Sequence, residues 1–546
     1  MHYIVGLDIG GTKCAVILAT VGLEIQIMDR LSFASLAEEG FEQLWARILE
    51  NMEKIVKKNA MRFSQVTAIG ISCGGPLDSK RGVILSPPNL PGWDNIPITA
   101  LLQEKFGVPA FLQNDANAGA LAEWLLGAGK GCEHMLFLTM GTGFGCGVIS
   151  HGRLITGTND LAGEVGHVRL AKEGPVGFGK AGSAEGFCGG QGIAKLMGAY
   201  TQQRLQQGFP PRWVQDGHRL PTAYSARLLG AYAAQNDPDA LALWEIVGEK
   251  LGSVLSILID LFNPSRIVIG SIFTRCEKFL RPSMEKIIQR EAISSAREIC
   301  EICPADTGEQ IGDFSSILSA CYAMGLLPVA RVPFKEGVSQ QFSHLFARYP
   351  LLKPLASNIK DAFFLLRQSF AQEGKLLICG NGGSAADADH IAGELMKGFY
   401  LPRTLTGDLH DRAVRAFKLH ANAEIPLQGA LPAIALSGGN ALATAFCNDV
   451  DPQYVYAQQV LGYGKKGDVC LLISTSGNST NIVYAAKLAQ QLGIRTIALT
   501  GPHKSSLSKI CDVAITCPGK STADIQELHL PIYHTLCAML EAHFFS

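Results

Sequence analysis

The chain of 546 residues lacks any uninterrupted apolar run of about 18 residues, so no membrane-spanning helix is expected. It also lacks net charge. Its 47 basic and 48 acidic side chains sum to −1 at pH 7, which removes the electrostatic basis for binding nucleic acid or a membrane surface. The opening MHYIVGLDIGG has no basic segment ahead of an apolar one, so no signal peptide is expected. The 15 cysteines are scattered, and most, such as Cys321 and Cys537, sit in apolar contexts. They read as reduced, buried thiols of a cytoplasmic protein. What is present is a 47% hydrophobic, 17% charged composition over a length sufficient for several domains, and glycine in abundance.

The densest run of chemistry is 376–399, LLICGNGGSAADADHIAGELMKGF. Leu376 to Cys379 read as a buried strand. Gly380, Gly382 and Gly383 form a turn whose backbone N–H groups can approach an anion, with Ser384 as a helix cap and hydroxyl donor. His390 and Glu394, four apart, share one helical face, as either a metal or proton-transfer pair or an ordinary surface pair.

Upstream, residues 3–20 read as strand, glycine turn, strand, with Asp8 at the end of the first strand and Gly10, Gly11, Thr12 and Lys13 in the turn. Such a hairpin can set backbone donors against phosphates, with Asp8 near a magnesium ion. A helix is expected at about 37–58 and a strand near 66–72. In the loop 86–95, Asn89 and Trp93 either contact a ligand or order the loop. Residues 109–127 read as a strand entering a helix, with Asn114 and Asp115 at the junction as caps or as chemistry. Residues 134–157 repeat the opening design around Gly141–Gly147, which suggests two related halves closing on a nucleotide.

DIGGTK, QNDANA, GTGFGCGV, AGEVGH and RIVIGS follow in the order and spacing of the ROK family of sugar kinases, and the first 325 residues resemble that family. The resemblance implies an actin-like two-lobed fold and an ATP-dependent phosphotransfer to a sugar hydroxyl. It implies Asp115 as the general base and Asn89, Asn114, Asp115, Glu164, His167 and Glu185 as sugar contacts. Asp8, Gly10, Gly11, Thr12, Lys13, Gly141, Thr142, Gly143 and Gly270 would surround ATP and Mg2+. Family members commonly hold a structural zinc through the His of E-x-G-H and three cysteines that begin ten residues later. Here those positions are Gly177, Gly179 and Ser183, which supply no thiolate, so no zinc is expected in this half. The family also contains repressors with an N-terminal helix-turn-helix. The first motif here begins at Asp8, which favours the kinase over the repressor.

A Pro- and Gly-containing stretch, 326–341, reads as a linker between domains 1–325 and 342–546, with helical periodicity resuming over about 342–372. Strands are expected at 431–436, 469–475, 495–501 and near 512–516. The second ends in STSGNS, where Ser474, Thr475, Ser476 and Ser479 offer hydroxyls at a helix start. The last segment, 521–545, is helical in pattern. Gln526 and His534 lie on one side, Pro531 either kinks the helix or marks its start, and His529 is structural or exposed. GNGGSAADADH-xxx-E, STSGNS and IQE-x-H-xxxx-H resemble the SIS fold and, within it, the phosphoheptose isomerases. The resemblance implies a Rossmann-like αβα sandwich and a Zn2+ ion held by His390, Glu394, Gln526 and His534. Glu394 and His534 would carry protons, and Asn381, Gly382, Gly383, Ser384, Asp449, Ser474, Thr475, Ser476 and Ser479 would hold the sugar phosphate. About thirty residues between Phe399 and Leu431 exceed the simplest members and read as a lid or subunit contact.

The expectation is therefore an α/β protein, a two-lobed kinase followed by an isomerase, acting on small sugars and sugar phosphates as a homo-oligomer (dimer or tetramer). The isomerase step would be that of sedoheptulose 7-phosphate. The alternative is a kinase regulated by a SIS domain that senses a sugar phosphate without catalysis.

Overall fold

A computed structural model describes residues 2–217, 224–329, 332–420 and 423–546. The chain divides into two compact units, one of residues 2–21 with 25–323 and one of residues 324–546 with 22–24.

The first unit holds two five-stranded sheets of the same plan. β1 (His2–Ile9), β2 (Lys13–Val21) and β3 (Ile25–Ala34) form an antiparallel meander, and β4 (Ala68–Cys73) joins β1 in parallel. A small pair, β5 (Leu77–Asp78) and β6 (Val83–Ile84), precedes β7 (Ala110–Asn114), which completes the order β3-β2-β1-β4-β7. The second sheet repeats it. β8 (Met135–Met140), β9 (Phe144–Ser150) and β10 (Arg153–Ile155) form the meander. After the hairpin β11 (Val176–Gly177) and β12 (Lys180–Ala181), strands β13 (Arg266–Ser271) and β14 (Glu301–Pro304) add in parallel, giving β10-β9-β8-β13-β14. This duplicated plan is the actin-like two-lobed fold. Strands buried on both faces read as continuous apolar runs: every residue of β4 is buried. The helix Phe41–Lys58 packs through Leu44, Ile48, Met52 and Ile55, one helical stripe. It begins at 41 rather than 37 because Gly40, at φ 89, separates it from a short 3-10 turn, Ala37–Glu39.

The second unit is one parallel sheet in the order β16-β15-β17-β18-β19, from β15 (Leu376–Gly380), β16 (Ala433–Ala435), β17 (Val469–Ser474), β18 (Arg495–Thr500) and β19 (Val513–Thr516). Alternate side chains feed two cores. Leu376, Ile378, Leu471 and Ile473 enter one, and Leu377, Cys379, Cys470 and Leu472 the other, which makes a three-layer αβα sandwich.

Several local expectations change. The helix Glu336–Arg348 starts inside the stretch read as linker, because Val338 and Leu345 pack into the core and override the Pro and Gly signals around them. Helical periodicity over 342–372 is broken by a 3-10 turn, Pro350–Leu355, before Ala356–Ala371. Ser384 is not the cap of its helix: Gly382, at φ 56, holds that position, and Ser384 lies buried in the first turn with its N–H on Asn381 O at 3.1 Å. Pro531 does not start the last helix, which runs Thr522–Phe544 from a capping box of Ser521 and Asp524. His529 is fully buried, its Nε2 3.4 Å from Thr500 O, so it is structural and not exposed.

None of the 15 cysteines is in a disulfide. One C-x-x-C spacing occurs, Cys300 and Cys303. Burial first, and then each other's charge for Cys300, pushes these thiols up, to about 12 and about 11, so they stay protonated at neutral pH. Among the described residues no helix is long and apolar enough to cross a membrane.

Candidate active sites

In the first unit the β1–β2 turn closes through Gly10 N to Lys13 O at 3.2 Å, and Thr12 O accepts from Ser35 N. A Cβ on Gly11 would stand 2.8 Å from Asn89 O, so glycine lets the two loops meet. Asn114 ends β7 and caps the next helix, Asp115–Leu126. Its Oδ1 accepts from Ala116 N and Asn117 N. The cap thus belongs to Asn114. Asp115 takes one bond on Oδ1, from Ala116 N at 2.8 Å, while Oδ2 faces Gly74, with Asn89 on the same glycine.

Electrostatic coupling traces a continuous site. Burial, then Asp115 and Asp313, raise the Asp8 carboxyl to about 7, against Arg30 and Lys13. Asp115 is itself pushed up by burial and held back by backbone N–H groups. Glu164 is raised by partial desolvation, then by Asp115 and Glu185, with His167 opposing. Glu185 Oε2 accepts from Phe144 N at 3.2 Å and would touch a Cβ on Gly143, which ties it to the second glycine turn. That turn is held from behind: Gly190 N and Gln191 N donate to Gly141 O and Thr142 O. Gly270 pairs with Thr139 across β13 and β8, so the end of β13 lies beside it.

The segment 177–183 is a hairpin tied by hydrogen bonds. Ser183 caps the helix Ala184–Cys188 through Gly186 N, and its hydroxyl donates to Gly177 O at 3.4 Å. Lys180 Nζ donates to His167 O and Lys195 Nζ to Val176 O.

In the second unit, the turns after β15 and β17 are joined. The amides of Asn381 and Asn481 exchange two hydrogen bonds of 3.0 Å. In the serine turn, Ser474 Oγ lies 3.2 Å from Ser479 Oγ and 3.4 Å from Ser476 Oγ and accepts from Gly477 N. Thr475 O accepts from Gly501 N, and Ser479 caps the helix Thr480–Gln491 by backbone position alone. Ser384 is buried in the first turn of the other helix, and the Gln526 amide would press 2.5 Å against a Cβ on Gly383.

His390, Glu394 and His534 present ligand atoms within 4.8 Å of one another. His390 Nε2 lies 3.1 Å from Glu394 Oε1, and the two imidazoles are 5.0 Å apart at 90°. Among the described residues Glu394 Oε2 and His534 Nε2 are buried without a hydrogen-bond partner, which is costly unless a cation or substrate completes them. These donors fit zinc. Burial, then the neighbouring His390, lowers the His534 pKa, against Glu394. His390 Nδ1 meets Tyr533 Oη at 3.1 Å, and Tyr533 donates to Asp387 Oδ1 at 3.2 Å, a relay that directs Nε2 at the trio. Asp449 ends the helix Asn440–Asp449, exposed, with its carboxylate taking a bond from Asn448.

Some residues here carry no sequence signal of their own. Arg30 Nε holds both oxygens of Asp313 beside Asp8. Buried Glu123 accepts from Ala128 N, Asp306 N, Thr307 N and Thr307 Oγ1. Arg403 and Glu541 form a fully buried pair at 2.7 Å behind Glu394. Only the D-x-x-H spacing hinted at Asp387.

The ROK family matches residues 4–318 and the SIS domain residues 426–501. A glucokinase of Thermotoga maritima is 32% identical over 291 residues, 52% of this chain and 87% of that protein. A phosphoheptose isomerase of Helicobacter pylori strain P12 is 36% identical over 202 residues, 37% of this chain and 92% of that protein. A solved ROK family transcriptional regulator, homolog of the E. coli MLC protein, superposes with a TM-score of 0.52 at 24% identity, over 60% of this chain and 79% of that one, which shows the shared fold.

Proposed function

Because the chain belongs to the ROK family over residues 4–318 and its C-terminal part to the phosphoheptose isomerases, we propose that it is a bifunctional carbohydrate enzyme. The N-terminal half phosphorylates a sugar hydroxyl from ATP. The C-terminal half interconverts a ketose and an aldose phosphate, sedoheptulose 7-phosphate to D-glycero-D-manno-heptose 7-phosphate.

In the kinase half, Asp115 takes the proton of the attacking hydroxyl on its free Oδ2. Asn89, Asn114, Glu164, His167 and Glu185 orient the sugar. The turns Gly10–Lys13 and Gly141–Gly143 set backbone N–H groups around the phosphates, and Gly270 lies near the adenosine. Mg2+ carried with ATP would spread phosphate charge, and the carboxylate cluster of Asp8 and Asp313 suits a cation there.

In the isomerase half, Ser384, Ser474, Thr475, Ser476 and Ser479 hold the phosphate between the two turns that Asn381 and Asn481 join. Zinc held by His390, Glu394, His534 and Gln526 would supply positive charge to the sugar oxygens. Glu394 removes a proton from C1 of the ketose and returns it to C2. His534, whose pKa is lowered by burial and by His390, either holds the ion through Nε2 or, left off it, moves the hydroxyl proton from O1 to O2. The buried, unpartnered Glu394 Oε2 and His534 Nε2 carry this reading, since a pure ligand sensor has no need of them. Assembly as a dimer or tetramer belongs to the same reading. It is supported by the helix Asn440–Asp449, whose Leu442 is 40% exposed.

The test is a screen of C6 and C7 sugars and their phosphates with ATP, following ADP release and product isomers together. Asp115→Asn is expected to lower phosphorylation by about 10²- to 10⁴-fold with isomerisation intact. His534→Ala is expected to abolish isomerisation with phosphorylation intact. Ligand-dependent kinase rates with no isomer formed would replace the isomerase by a sensor, and isomerisation unchanged in His534→Ala would remove His534 from the chemistry.

A further inference from the structure

Away from both sites, Glu133, His134 and His151 bring a carboxylate and two imidazoles together, with one ligand atom of each within 4.8 Å of the others. We propose that this cluster binds a divalent first-row transition ion of the zinc class and staples the β9–β10 turn to the entry of β8.

The backbone fixes the two sides of the site. Glu133 and His134 immediately precede β8, and His151 with Gly152 forms the turn between β9 and β10. Gly152 N donates to Glu133 O at 2.9 Å, while Ser265 N and Ser265 Oγ both donate to His134 O. His151 adopts φ 50, a left-handed conformation more often given to Asn, Asp or Gly in such a turn. The imidazole there is set against its neighbour: the His134 and His151 rings are 4.5 Å apart at 78°. His151 Nδ1 is 3.6 Å from Glu133 Oε1.

His134 Nδ1 accepts from His151 N at 3.4 Å and lies 3.2 Å from Ser150 Oγ, so a cation at Nε2 requires the ring proton to move to Nδ1, where Ser150 Oγ can accept it. Tetrahedral zinc with bonds of about 2.0–2.1 Å needs ligand atoms about 3.4 Å apart, close to the 3.6 Å already present between His151 Nδ1 and Glu133 Oε1. The Glu133 and His151 side chains are 66% and 74% exposed, so rotamer changes suffice. Two imidazoles and a carboxylate favour zinc-class ions over magnesium or calcium, and three protein ligands leave a position for water. β8 spans six residues from this point to the Gly141 turn, about 20 Å, so the ion would brace the strand and take no part in phosphotransfer. The site is separate from the cysteine-free hairpin at 177–183, and it amends the expectation of a zinc-free N-terminal half.

The experiment titrates the metal-stripped full-length protein with Co2+, reading bound equivalents and visible absorption. The wild type is expected to take up one equivalent more than His151→Ala or Glu133→Gln, with kinase turnover unchanged in both variants. His390→Ala reports the isomerase ligands independently, so loss of that site is read separately. Equal uptake by wild type and His151→Ala would overturn the proposal. So would an extra equivalent that survives both Glu133→Gln and His151→Ala.

Discussion

Glu541→Gln should destabilise the isomerase half far more than a conservative exchange normally does. Glu541 and Arg403 have side-chain exposures of 1% and 0%. The carboxylate accepts from Phe399 N and Tyr400 N at 2.7 Å, Leu401 N at 3.1 Å and Arg403 Nε at 2.7 Å. Arg403 in turn donates to Leu395 O at 2.6 Å and Glu394 O at 3.0 Å, the open carbonyls at the end of the helix Gly383–Met396. A neutral amide keeps the shape but leaves a buried guanidinium without its counter-charge and turns an NH2 towards N–H donors. Breaking one partner of such a pair costs about 3–5 kcal/mol. At a urea m-value of about 2 kcal/mol/M, that is a midpoint shift of roughly 1.5 M or more. The assay has an internal control. All five tryptophans, Trp45, Trp93, Trp124, Trp213 and Trp244, lie in the first unit. The transition seen by circular dichroism and not by tryptophan fluorescence therefore belongs to the second unit, and it alone should move. The double variant Glu541→Gln/Arg403→Met should lose less than the sum of the singles, because no unpaired charge remains. A midpoint shift below about 0.3 M for Glu541→Gln, or additive losses, would refute the reasoning.

Two further outcomes follow from buried groups in the same half. Tyr533→Phe removes the hydroxyl between His390 Nδ1 and Asp387 and should weaken Zn2+ affinity about 10- to 100-fold by competition with a chromophoric chelator, whereas unchanged affinity would show that the relay does not orient His390. Burial lowers the His529 pKa to about 4 from the usual 6.5, so the unfolded chain binds the extra proton between those values. Its stabilisation is complete above about pH 6.5 and is lost as pH falls towards 4, by about 3 kcal/mol in all, and His529→Gln should flatten this acid loss in urea melts at pH 4.5 and 7.

Residues close in sequence were legible. Both glycine turns, the junction at Asn114 and Asp115, and all five strands of the second unit sit where local pattern places them, because a strand–turn–helix unit writes its glycines and apolar runs within twenty residues. His390 and Glu394 were legible for the same reason, as helical neighbours. What was not legible is assembled across the chain. Asn481 meets Asn381 from 100 residues away, and Arg403 meets Glu541 from 138. No periodicity links such pairs, and each residue alone looks like an ordinary surface polar group. Local misreadings had local causes. Ser384 looked like a cap because Ser is a good one, but the positive φ of Gly382 placed the helix start earlier. The helix from Glu336 was hidden by Pro333 and Gly337, whose propensities were outweighed by the burial of Val338 and Leu345.

Glu123 makes the helix Asp115–Leu126 a strut. The proposed base stands on its first residue, and about 12 Å further along the axis Glu123 bolts it to the loop that follows β14. The two ends therefore travel together. A shift of the Asp306–Thr307 loop would be carried by Glu123 to the helix that bears Asp115, so with Asp115 as the base a segment remote from the sugar would set the distance over which the proton moves.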